Sequence, residues 1–232
     1  MTDLAVTGSD RSRLFDLASL LLTYPDGRLF DAGHQLRRAV DEITHPEVRA
    51  RLTTFLDWFL ATGALDVEKH YVGTFDLRRR SGLYLTYYLH GDTRKRGIAL
   101  LMLKQRYRAH GLLPRAGELP DLLPVVLEFA ATEGPGDGEA PLRQHRRGLE
   151  LLRSALEEAG SPYRHLLEAV VSALPPLTAA DREAVRALAQ DGPPVESVGL
   201  APYGSEVDAI GFGPDLTAAS CALTTSPGKG AP

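Results

Sequence analysis

Between Asp76 and Arg115 the chain carries ten lysines and arginines (Arg78, Arg79, Arg80, Arg94, Lys95, Arg96, Lys104, Arg106, Arg108 and Arg115) against two acids, Asp76 and Asp92. The excess is +8 in a protein whose formal net charge is −4. Charge segregated this far makes one positive face, balanced by acidic surface elsewhere. Tyr84, Tyr87 and Tyr88 lie among these cations. Tyrosine offers flat, amphipathic contact area at a small rotamer cost, which suits recognition. Two chemistries fit the mixture: capture of a polypeptide, helical or extended, and binding of single-stranded nucleic acid. The second lacks an RNP-like motif, an OB-type strand pattern or a helix-turn-helix signature. A plainer alternative for both features is a solvated charged face over a core stripe, since Tyr84, Tyr87 and Tyr88 stand at i, i+3, i+4.

Acid–base catalysis has fewer supports. Asp76, His90, Asp92, Glu118 and Asp121 are the candidates for convergence, but no glycine-rich phosphate loop, nucleophile elbow or metal motif accompanies them. Cys221 is the single cysteine, which excludes an intrachain disulfide, a structural zinc site of several thiolates and an iron–sulfur cluster. The histidines (34, 45, 70, 90, 110, 145 and 165) include no H-x-x-x-H pair. The expectation is no catalytic centre, no bound metal and no stably bound cofactor.

The elements that must position the basic segment are helices. Leu14, Leu17, Ala18, Leu21 and Leu22 repeat as one apolar stripe on a first helix ending at Tyr24-Pro25. A second is expected over 28–43. A third starts in the turn of Pro46, carries Leu52, Phe55, Leu56, Phe59 and Leu60, and closes at Gly63. Short aromatic-rich helices follow over 67–76 and 82–90. Asp92 is expected to cap the next, which runs to Gly111; its wide apolar face predicts a central, buried helix, with Thr93 and Gly97 serving close packing. Asp121 is expected to cap a helix opened by Pro120 and continuing to Phe129, on which Glu128 is available to pair with an arginine. After the glycine-rich break 132–139 come helices over 141–159, 162–174 and 178–190, the last opened by Thr178 and Asp181 as a variant capping box. Convincing strand alternation is absent, so the fold class is all-α: a single-domain bundle of roughly nine or ten helices.

Residues 1–10 are read as a flexible N-terminus, 11–191 as the helical domain, and 192–232 as a proline- and glycine-rich tail, mostly disordered, with one short docked segment around 198–203. No basic n-region precedes an apolar core, and no apolar run reaches a membrane span, so a cytoplasmic location is expected.

The strings YVGTFDLRRR at 71–80, LYLTYYLHGDTRKRG at 83–97 and ELPDLLPVVLEFA at 118–130 resemble the NarJ family of nitrate reductase molybdenum cofactor assembly chaperones, also called the delta subunit. The similarity in layout runs over about 14–188. The resemblance implies an all-helical chaperone, not an enzyme, related to the redox-enzyme maturation proteins. Such a protein binds the N-terminal peptide of the catalytic (alpha) subunit of a respiratory nitrate reductase while molybdenum cofactor is inserted, and is absent from the finished complex. It leaves molybdenum cofactor biosynthesis proteins open as further partners, and gives no role to nucleic acid or to membrane insertion. On this reading Tyr71, Phe75, Tyr84, Tyr87 and Tyr88 line a partly apolar groove, with Arg78, Arg79, Arg80, Arg94 and Arg96 at its rim. Glu118, Pro120 and Asp121 match the family's E-x-P-D element, although Leu122 stands where some related chaperones have histidine.

Overall fold

A computed structural model describes residues 6–115, 117–192 and 194. Among them the architecture is all-helical, with nine α-helices of seven residues or more. With three shorter ones, α2, α6 and α9, the α-helices in order are α1 Gly8–Leu21, α2 Gly27–Asp31, α3 Gly33–Asp41, α4 Pro46–Ala61, α5 Ala64–Tyr71, α6 Leu85–His90, α7 Arg94–Ala109, α8 Leu123–Glu133, α9 Ala140–Gln144, α10 Arg146–Glu158, α11 Arg164–Ser172 and α12 Ala179–Asp191. A π-turn, Val72–Asp76, and a 3-10 turn, Arg79–Ser81, join α5 to α6.

Burial of two apolar stripes organises the bundle. Leu14, Leu17, Ala18, Leu21 and Leu22 are all buried as α1 lies along α8, and Leu52, Phe55, Leu56 and Phe59 turn α4 onto α11. Thr7 caps α1 by accepting the Asp10 N–H at 3.2 Å. Asp10, although buried, accepts from the Thr44 N–H (3.0 Å), the Thr44 hydroxyl (2.6 Å) and the His45 N–H (3.0 Å), tying the start of α1 to that of α4. Burial alone would push its carboxyl up, but these bonds outweigh it and hold the group below its ordinary value. Glu139, also buried, receives Arg11 of α1 and, at 3.3 Å, Arg143 of α9. Between α4, α5 and α11 an aromatic cluster forms, in which Tyr163 touches Phe55, Trp58, His70, Tyr71 and Phe75.

The expected helix over 28–43 is two helices broken at Ala32, and that over 141–159 breaks at His145. Thr178 and Asp181 form the anticipated capping box. The largest departure is α7. In place of a central buried helix, it is a peripheral one whose only buried residues are Leu103 and Tyr107. These two form a small separate core with Phe129 of α8, while Ile98, Leu101 and Met102 are 62, 52 and 64 % exposed. Gly97 serves no close packing, since nothing lies within 4 Å of where its Cβ would be. Nor does Asp92 cap α7: the capping position is Thr93, without a side-chain bond, and Asp92 instead accepts from Arg96 at 2.9 Å one turn on. A wide apolar face shows that a helix has apolar residues, not that neighbours exist to cover all of them. The tail expected over 192–232 lies, apart from residues 192 and 194, outside the described residues.

Candidate functional site

Two sequence segments 35 residues apart are zipped together beneath the basic face. Tyr84 and Leu122 form an isolated antiparallel bridge; the Leu85 N–H donates to the Asp121 carbonyl at 3.0 Å and the Leu123 N–H to the Leu83 carbonyl at 2.8 Å. Asp121 is completely buried and does not cap its own helix, which has no side-chain cap. It caps α6 instead: one carboxylate oxygen accepts from the Thr86 N–H (3.3 Å) and the Thr86 hydroxyl (2.5 Å). Thr86 sits in the first turn of α6, where N–H groups lack helical partners and the dipole favours an anion. The Arg96 guanidinium stands 3.7 Å from the same oxygen and pairs with Asp92 on its other side. Its plane lies over both Tyr84 and Tyr87, 5.7 and 5.8 Å from the ring centroids. Arg96 is thus a strut between α6, α7 and the 118–122 connection, with cation–π contacts as part of its hold. Pro120 takes part through its carbonyl, which accepts from the buried Tyr107 hydroxyl at 2.7 Å.

The triple arginine is held outward by its neighbours. Ser81, buried, donates to the Thr74 carbonyl, and the Tyr88 hydroxyl donates to the carbonyls of Arg80 (3.1 Å) and Gly82 (2.9 Å). With these bonds pinning the turn from inside, Arg78, Arg79 and Arg80 are all exposed. Burial pushes the Tyr88 phenol far above its ordinary value, so it remains a donor at any physiological pH.

Arg79, Arg80, Tyr87 and Tyr88 form one wall of a cleft of about 240 Å³. The opposite wall comes from Leu151, Ser154, Ala155 and Glu158 of α10 and from Leu188, Ala189 and Gly192 at the end of α12. Gly148 allows α10 to approach α6; a Cβ there would lie 3.1 Å from Tyr88 Cβ. α12, with no buried residue of its own, is fastened to α10 by the Arg147–Asp181 ion pair at 2.7 Å. The cleft is open, partly apolar and cationic on one rim, dimensions suited to one or two anchoring side chains of a longer ligand.

The other expected site residues divide. Tyr71 and Phe75 are 8 and 6 % exposed and pack into the aromatic cluster; the Tyr71 hydroxyl donates to the Leu22 carbonyl at 3.0 Å. Core packing, the plainer alternative for these two, is what their burial shows. Arg94 is exposed at the start of α7. Glu118 closes the 115–118 turn by accepting the Arg115 N–H at 3.3 Å. Glu128 is exposed and has no ion-pair partner among the described residues. The α10 and α12 residues of the cleft were not anticipated. The one available signal was Leu151 and Ala155, an apolar pair one turn apart and off the buried Leu149, Leu152, Leu156 stripe. Among the described residues no group of three or more His, Cys, Asp or Glu side chains converges on a metal-binding geometry, and no helix is long and apolar enough to cross a membrane.

Comparison with known proteins places both zipped segments in a recognised context. The model of the family "Nitrate reductase delta subunit" matches residues 42–169. The chain is 40% identical over 169 residues to the nitrate reductase-like protein NarX of Mycobacterium tuberculosis, covering 73% of this chain but 25% of that larger protein. It is 34% identical over 166 residues to the probable nitrate reductase molybdenum cofactor assembly chaperone NarJ of Bacillus subtilis, covering 72% of this chain and 90% of the relative. With NarJ of Escherichia coli it shares 32% identity over 154 residues, 66% and 65% of the two chains. A family model spanning more than half the chain, together with a relative covered almost end to end, settles the grouping: this chain belongs to the nitrate reductase delta subunit family, that of the NarJ molybdenum cofactor assembly chaperones.

Proposed function

We propose that this protein binds the N-terminal region of the apo catalytic subunit of a respiratory nitrate reductase, keeps it open to molybdenum cofactor insertion, and leaves before the complex is complete. The observation that carries this reading is the cleft in which Arg79, Arg80, Tyr87 and Tyr88 face α10 and the end of α12. An apolar anchor of the client enters between Tyr88, Leu151 and Leu188, and the arginine turn binds carbonyls or acidic side chains alongside it. The names of the relatives support the client class. A non-enzymatic role fits the placement of the would-be acid–base groups: Asp121 and Asp92 are spent on Thr86 and Arg96, and Glu118 on a turn. The cofactor is the client's cargo and needs no ligand from this chain.

The test is titration of the full chain with a synthetic peptide from the N-terminus of its reductase and, separately, with single-stranded DNA. Saturable peptide binding that drops at least about tenfold in a Leu151→Glu variant, from loss of an apolar anchor and burial of a charge, supports the cleft. Tight, steeply salt-dependent DNA binding in place of peptide binding would overturn the reading.

A further inference from the structure

Helix α7 carries apolar residues on two sides, and only one of them has a use inside the protein. Leu103 and Tyr107 face the body. On the other side Ile98, Leu101 and Met102 are more than half exposed, and Leu113, just past the helix, is 70 % exposed. At 100° per residue Ile98 and Met102 share a line, with Leu101 beside them and Arg94, Lys95 and Arg108 flanking the stripe. No acidic residue occurs from Thr93 to Gly117. Lys95, Lys104, Arg108 and Arg115 are exposed and have no ion-pair partner among the described residues.

Charge and apolar pattern select the occupant. A cleft of about 470 Å³ beside α7 takes in Met102 and Leu103, and one of about 150 Å³ past the helix takes in Leu113 and Arg115; neither includes Ile98 or Leu101, which stand exposed outside both. A helix that exposes an apolar stripe bordered by cations, with no acid on the segment, has the pattern of one that lies in an anionic lipid surface. A second copy of this chain is disfavoured, because two such faces would bring like charges together.

We infer that α7 and the connection to Leu113 adsorb to an anionic lipid bilayer. Ile98, Leu101, Met102 and Leu113 enter the headgroup region, while Lys95, Arg108 and Arg115 meet lipid phosphates. The helix lies in the plane of the surface; it does not cross it. This inference is independent of the client cleft, which opens among different residues.

Vesicle co-sedimentation of the full chain tests it, with phosphatidylglycerol-containing and pure phosphatidylcholine vesicles at low and high salt. The expected result is binding to the anionic vesicles alone, lost at high salt, and weakened at least about tenfold in Ile98→Ser/Leu101→Ser/Met102→Ser with unchanged melting and unchanged peptide affinity. A Lys95→Glu/Arg108→Glu variant should lose vesicle binding comparably without touching the apolar stripe. Absence of binding to the anionic vesicles, or binding equal in wild type and both variants, would refute the assignment. So would preferential binding of polyglutamate that competes the vesicles away, which would give the cations to an acidic polypeptide instead.

Discussion

Replacing Asp121 by alanine tests the zipper most directly. The wild-type carboxylate accepts from the N–H and hydroxyl of Thr86 at 3.3 and 2.5 Å and faces Arg96 at 3.7 Å, all without solvent access to Asp121. In the variant, two donors of a completely buried threonine lose their acceptor, at about 1–3 kcal/mol each, and Arg96 keeps Asp92 alone. Removing one member of a buried charged pair costs about 3–5 kcal/mol, and the two routes to the figure agree at about 4. The other Asp121 oxygen, buried and without a hydrogen-bond partner, offsets part of this, because its desolvation cost disappears with it. Against a total stability of about 5–15 kcal/mol for a domain, the change is severe. Urea unfolding followed by helical circular dichroism should show a midpoint shift equivalent to about 3–4 kcal/mol, and hydrogen exchange at the first turn of α6 should accelerate. Asp121→Asn preserves an acceptor for Thr86 and should cost about half as much. If Asp121→Ala loses less than about 1 kcal/mol, well below the cost expected for a broken buried pair, the cap is not what joins the two segments.

Asp10→Ala should lower stability by about 2–4 kcal/mol at neutral pH through the loss of the Thr44 and His45 bonds. Because those bonds hold the folded carboxyl below its ordinary value of 3.8, the contribution is present above that value and lost as pH falls through the folded one, so wild type and variant should converge in acid unfolding curves. His110 has the opposite sign. Its ring bonds to Asp137 and to Glu133, each at 2.7 Å, and these raise its pKa above the ordinary 6.5. The latch between the ends of α7 and α8 therefore holds below 6.5, while Asp137 stays ionised, and weakens as pH rises through the raised value; stability against pH for wild type and His110→Ala should differ most in the mildly acid range, narrow again as the carboxylates protonate, and merge in the alkaline range. Gly91 has φ +56°, and Pro194 carbonyl oxygen lies 1.9 Å from where a Cβ would stand. Gly91→Ala should therefore cost about 1–3 kcal/mol in thermal unfolding, from backbone strain and collision.

Sequence alone determined what rests on local periodicity and short-range chemistry. The α1 stripe, the α4 stripe and the Thr178–Asp181 box were all legible, because an amphipathic face and a cap are written within a few residues of one another. The excess of cations from Asp76 to Arg115 was equally plain. Tertiary structure alone decided where those features went. Asp121 caps a helix 35 residues away, which no reading of its own neighbours could supply. Tyr71 and Tyr87 were both expected to line the groove, yet one is packed against Tyr163 and the other bounds a cleft. The far wall of that cleft comes from residues 151–192, contributed through helix packing whose only short-range trace is the Leu151 and Ala155 pair. α7 went the other way: its apolar residues outnumber the neighbours available to cover them. Hydrophobic pattern specifies which side chains prefer burial, but the competition among helices for a finite interior decides which of them obtain it.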